Sequence, residues 1–79
     1  MKQKSDKKVN TRSIPVWWRV TIDYAIIDHD GQLLVYNLNR ETKNINAARW
    51  QVGLHIKRYE RAIEYGRAVY CNRIGFVGL

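Results

Sequence analysis

Asp28-His29-Asp30-Gly31 sets two carboxylates around an imidazole, and it is the tetrapeptide of this chain whose residue types come nearest to holding a cation. A calcium loop needs further oxygen ligands and a distal Glu, and zinc needs a cluster of His and Cys; neither is spaced around it. Asp and Gly are also the favoured residues of a hairpin turn, so the segment reads as a turn and no metal is expected. His55 stands between Leu54 and Ile56, beside apolar positions, which reads as a partly buried structural histidine. Cys71, on a β-prone stretch, reads as a small buried hydrophobe. Glu60 and Glu64 are four apart, but Lys57, Arg58 and Arg61 surround them and solvated ion pairs account for them. No glycine-rich phosphate loop precedes a helix. These readings give no catalytic residue and no cofactor, and the chain is expected not to be an enzyme.

The residues suited to binding are a different set. Trp50, Leu54, Lys57, Arg58, Arg61 and Tyr65 recur at helical spacing. Trp, Tyr and Arg dominate interface hot spots because they join a large contact area to a polar or charged handle, and Leu54 adds an apolar anchor. The plainer alternative is that Trp50 and Leu54 pack beneath the C-terminal segment. A second set suits nucleic acid: Lys2, Lys4, Lys7, Lys8 and Arg12 form a basic arm, and Trp17, Arg19, Asn37 and Asn39 fall on one face of a hairpin. Phosphate attraction, base stacking and base-edge recognition need those types.

Positioning them requires a helix and a sheet. From Asn44 to Tyr65, Ile45, Ala48, Val52, Ile56, Tyr59 and Ile63 recur at spacings of three and four, one apolar stripe at about 100° per residue. Asn44 or Asn46 can cap the start, and Gly66 sits where a left-handed residue ends a helix. From Val16 to Ile27 the pattern alternates, and a second strand runs from Gln32 to about Arg40. A three-residue loop with Gly31 left-handed pairs Ile26 with Leu34, Tyr24 with Tyr36 and Ile22 with Leu38 on the inner face. It pairs Arg19 with Glu41, Thr21 with Asn39 and Asp23 with Asn37 on the outer face. Ala25, Ile27, Leu33 and Val35 then make the outer face apolar near the hairpin tip. They call for a cover, either the C-terminal segment or a second copy of the chain in a homodimer. After Gly66, Asn72-Arg73 separates two β-prone stretches as a turn or a bulge. The fold class is α+β, with a small antiparallel sheet packed on one helix. Its order is ββαβ, or ββαββ if that turn makes a second hairpin.

Seventy-nine residues make one domain with a limited core, which favours a binding surface over a deep cleft between lobes. The chain divides into a mobile basic tail, 1–13, and a domain, 14–79. The formal charge is +7, with five Lys or Arg against one Asp through Arg12 and nine against six from Ser13 onward, so the domain is only mildly basic. One cysteine excludes an internal disulfide and suits a reducing, cytoplasmic setting. No apolar run is long enough to span a bilayer or to serve as a signal peptide, so no membrane is expected.

In its order and size the chain resembles several small phage-encoded proteins that inhibit host enzymes, a likeness of outline with no motif residue to carry over. That resemblance implies a viral, phage or mobile-element protein. It would be a non-catalytic inhibitor or modulator, binding a host protein or protein–nucleic-acid complex of the defence or transcription kind. The alternative is a regulator that binds DNA or RNA directly through the basic tail and the outer sheet or helix face.

Overall fold

The computed structural model describes residues 16–79. Three strands and one helix follow in the order ββαβ: β1 (Trp18–Ile27), β2 (Leu33–Thr42), α1 (Ile45–Glu64) and β3 (Ala68–Gly78). All pairing is antiparallel, in the order β2-β1-β3, so β1 is the central strand. The fold is α+β, as its sequence pattern predicts. The basic arm, Lys2 to Arg12, lies outside the described residues.

The hairpin adopts the expected register throughout, including Tyr24 opposite Tyr36 and Arg19 opposite Glu41. Its turn is held by Asp28, whose Oδ1 accepts from the backbone N–H groups of Asp30 at 2.9 Å and Gln32 at 2.8 Å. Gly31 has φ +81°, where a side chain would be strained. A register slipped by one residue would turn Tyr24 and Ile22 towards solvent, so the alternation and the turn specify the same pairing.

Asn44 is the N-cap, its side chain accepting from the N–H groups of Asn46 at 2.9 Å and Ala47 at 3.1 Å. At the other end Gly66, with φ +68°, donates to the Ile63 carbonyl, and Arg67 N–H donates to Ala62 at 2.7 Å. These satisfy carbonyls the last turn would otherwise leave free. After Gly66 there is one strand and not two. β3 is a single bent strand with register shifts against β1 between Asp23 and Tyr24 and between Ala25 and Ile26, and Asn72 is the extra residue of the first.

The core comprises Val20, Ile22, Tyr24 and Ile26 from β1 with Ala48, Val52 and Ala62 from α1. At one end the Trp18 and Phe76 rings meet edge to face at 5.8 Å. The helix corrects the expected stripe. Val52 is 5% exposed, but Ile56 is 38% and Ile63 56% exposed, while His55 and Ala62 turn inward. The cause is polar. Tyr24, fully buried at the centre of the sheet, needs a partner for its hydroxyl and finds it in His55 Nδ1 at 2.7 Å. The small Ala48 and Ala62 let the helix lie close to the sheet. A second correction concerns placement: α1 lies mainly over β1 and β3 and touches β2 little, instead of crossing the hairpin's inner face. No helix among the described residues is long and apolar enough to cross a membrane.

Candidate functional site

Because α1 is offset from β2, the inward residues of that strand are left partly uncovered. The gap beside them is a cleft of about 550 Å³, in the size range of ligand-binding pockets. Its aliphatic lining comes from Ile26 and Ile27 at the end of β1, Leu34 on β2, and Leu54 and Ala62 on α1. Tyr36 and Tyr65 stand at its sides, and the hairpin turn contributes Asp28 and His29. Around it stand Lys57, Arg58 and Arg61 from the helix and Arg67 from the turn that follows.

Five of the six helix residues expected to bind therefore line one cleft: Leu54, Lys57, Arg58, Arg61 and Tyr65. Trp50 does not line it. It lies one turn before Leu54 and is 70% exposed, so the C-terminal segment covers neither Trp50 nor the half-exposed Leu54. That segment pairs instead with β1, on the far side of the sheet from β2.

Two of the four cations are held in place. Arg58 Nη1 donates to the Tyr36 hydroxyl at 2.8 Å, and its guanidinium lies 5.4 Å from the centre of that ring. Arg67 is fixed by its backbone, which donates to Ala62 and accepts from Ile27 N–H at 2.8 Å, and its guanidinium lies 5.5 Å from the Tyr65 ring. The ion pairs expected of Glu60 and Glu64 are not formed. Among the described residues none of the four cations has a carboxylate within ion-pairing distance, the ion pairs being Arg19–Glu41 and His29–Asp30. On a helix, residues three and four apart are neighbours, so Lys57 and Arg61 place like charges side by side at exposed positions, with Glu60 and Glu64 on the adjoining turns.

Behind the cleft lies an aromatic cluster. Tyr24 stacks on Tyr36 with centroids 4.8 Å apart and meets the His55 and Tyr59 rings edge to face, each at 5.6 Å. Burial, with Tyr36 adding to it, pushes the Tyr24 phenol from 10.0 up to about 12. Burial, and then Arg58, lowers the His55 pKa below its ordinary 6.5. The lowered value favours the neutral imidazole, whose Nδ1 shares a 2.7 Å hydrogen bond with the tyrosine hydroxyl, as a structural histidine would.

No family model, curated protein or solved structure matches this chain. What it does must be argued from its own surfaces.

The second expected surface, the outer face of the sheet, is assembled differently. Trp17, Arg19, Asn37 and Asn39 are all exposed. Arg19, however, donates to Glu41 at 2.8 Å, and Lys43 lies over the Trp17 ring at 5.1 Å, so the arginine and the aromatic face are both occupied within the fold. Asp23 adds negative charge, accepting from Tyr70 at 2.9 Å and Asn72 at 3.1 Å; that bond raises the Tyr70 pKa. Nearer the tip Ala25 is buried between its partners Val35 and Tyr70, whereas Leu33 and Val35 stay exposed. The C-terminal strand covers that patch in part.

Cys71 is exposed where a buried hydrophobe was the expectation, because β3 is an edge strand bent beside it. Its thiol pKa is raised, first by local burial and then by Asp23, which leaves little thiolate at neutral pH. Sequence reasoning missed Tyr36, Leu34, Ile26 and Arg67 as members of the cleft. They belong to three other elements, and only the glycine before Arg67 marks a place where the chain turns back towards the sheet.

Proposed function

We propose that the chain is a small non-catalytic interaction protein that docks a partner protein on the outer face of α1 and the cleft beside it. The observation carrying this reading is that Leu54, Lys57, Arg58, Arg61 and Tyr65 converge on one cleft, with Trp50 exposed one turn away. Such a surface joins apolar anchors to unpaired cations, the combination that supplies contact area and charge selectivity together. The groups that resemble chemistry are engaged elsewhere: Asp28 holds the turn and His55 holds Tyr24. That the partner belongs to host nucleic-acid machinery, and that the role is of the phage or mobile-element kind, are parts of the proposal supported by outline and charge.

Direct nucleic-acid binding is less favoured, because Arg19 on the outer sheet face is already paired with Glu41. The test compares the wild-type chain with Trp50→Ala/Arg61→Ala. Capture of a partner is expected to fall by about tenfold or more with the melting temperature nearly unchanged. In parallel, binding to random duplex and single-stranded DNA and RNA is measured across a salt series. A steep salt slope to nucleic acid, with capture unaffected by the double substitution, would sink the reading.

A further inference from the structure

The cleft's own chemistry narrows what it can receive. Its aliphatic lining, Leu34 and Leu54 included, suits one bulky apolar side chain, while Arg58, Arg61, Lys57 and Arg67 in the same lining favour carboxylates flanking such an anchor. A nucleic-acid base fits less well. One face of Tyr36 is taken by Tyr24 and the ring is also engaged by Arg58, while Tyr65 is engaged by Arg67, so neither ring is free to stack on a base. The chain's own arm is an unsuitable occupant, since its Lys2, Lys4, Lys7 and Lys8 carry the same charge as the rim. Two copies of the chain, each formally +7, repel for the same reason.

We infer that the cleft is a receptor for an acidic segment of a partner protein bearing one large apolar side chain. The anchor enters between Leu34 and Leu54, and the flanking carboxylates meet Arg58 and Arg67, which are pre-oriented by the two tyrosines, and Arg61 and Lys57, which are free to close on them. Pre-orientation lowers the entropy lost on binding, and guanidinium groups donate two parallel hydrogen bonds to a carboxylate. This inference rests on the reading of α1 as a protein-docking face and adds the chemistry of what is docked.

The experiment uses the full chain, a fluorescein-labelled peptide Glu-Glu-Phe-Glu-Glu, and three controls: the Gln-for-Glu peptide, the peptide with its Phe replaced by Ser, and an oligothymidine strand. Anisotropy gives affinity, and amide chemical-shift changes give location. The acidic anchored peptide is expected to shift Leu34, Leu54 and Arg61 and to bind about tenfold or more tighter than either control peptide. Lys57→Glu/Arg61→Glu, both at exposed positions, should abolish binding while the melting curve stays cooperative. The inference is overturned if the peptide does not bind, if the Gln or Ser peptide binds equally well, or if the shifts fall on the outer sheet face. It is overturned equally if oligothymidine binds the cleft more tightly. Peptide failure with capture still lost in Trp50→Ala/Arg61→Ala removes this inference alone; capture unaffected by that double substitution removes the docking reading with it.

Discussion

Replacing Tyr24 by Phe removes one oxygen from the centre of the sheet and keeps the ring, so it isolates the bond to His55. That bond is 2.7 Å long between a fully buried phenol and a partly buried imidazole. The stacking on Tyr36 at 4.8 Å and the edge contact with Tyr59 should survive the change. Losing a hydrogen bond costs about 1 kcal/mol net, and leaving His55 Nδ1 without a donor adds to it, for a total of about 2 kcal/mol. For a domain of this size that lowers the melting temperature by roughly 8–16 °C. Urea unfolding followed by circular dichroism at neutral pH measures it directly.

The pH dependence supplies an independent check. Below its ordinary 6.5, His55 binds a proton more readily in the unfolded chain, because its folded pKa is lowered. Stability is therefore complete above about 6.5 and declines as pH falls from there through the folded value. At the alkaline end the folded Tyr24 keeps its proton up to about 12 whereas the unfolded one loses it near 10.0, so stability falls as pH rises between those values. That loss is on the order of 3 kcal/mol. In Tyr24→Phe the alkaline loss should shrink because the phenol has gone, while the acid limb should remain, because burial and Arg58, which lower the His55 pKa, remain. A variant within about 0.5 kcal/mol of wild type at neutral pH, with the alkaline limb unchanged, would refute the role given to this pair.

The helix phase is tested by two aspartates. Val52→Asp buries an unpaired charge and should unfold the domain, at a cost above about 4 kcal/mol, while Ile56→Asp, at a position 38% exposed, should stay folded and lose less than about 1 kcal/mol. If Ile56→Asp unfolds and Val52→Asp does not, the helix faces the other way. At its ends, Asn44→Ala should cost about 1 kcal/mol through the lost cap, and Gly66→Ala a similar amount through strain at φ +68°. Thermal melts of the two single variants and the double check both values, and additivity is expected because the sites lie at opposite ends of the helix.

Much of this fold was legible because several local signals agreed. Alternation from Trp18 to Ile27, turn chemistry at Asp28 and Gly31, and charge pairing of Arg19 with Glu41 all demand one register, and a one-residue slip violates all three. The caps were legible for the same reason, since Asn44 and Gly66 answer backbone needs within a few residues of themselves. Helix phase was legible at Ala48, Val52 and Tyr59 but not at Ile56 and Ile63, because hydropathy ranks these two above His55 and Ala62, and His55 turns inward to the hydroxyl of Tyr24, thirty-one residues away. The bend in β3 was ambiguous, since Asn72-Arg73 suits a turn as well as a bulge. The helix half of the candidate site could be read from spacing; the other half could not, because Leu34, Tyr36 and Arg67 join it only through the placement of α1.

Phase, offset and cleft have a common origin. Tyr24 lies on the central strand with its ring buried, and the helix presents His55 to its hydroxyl. Setting His55 over Tyr24 brings Ala48 and Ala62 against the sheet and turns Ile56 and Ile63 to solvent. It also carries Arg58 to the Tyr36 hydroxyl and leaves Leu34 and Leu54 lining an open cleft. The core therefore accepts the exposure of two isoleucines and an open groove in exchange for one satisfied buried hydroxyl. If the groove is the docking site, the Tyr24–His55 bond is a positioning element for it. Loosening that bond should then weaken partner binding at temperatures where the domain is still folded, since the cations on α1 would no longer be held in one phase against β2.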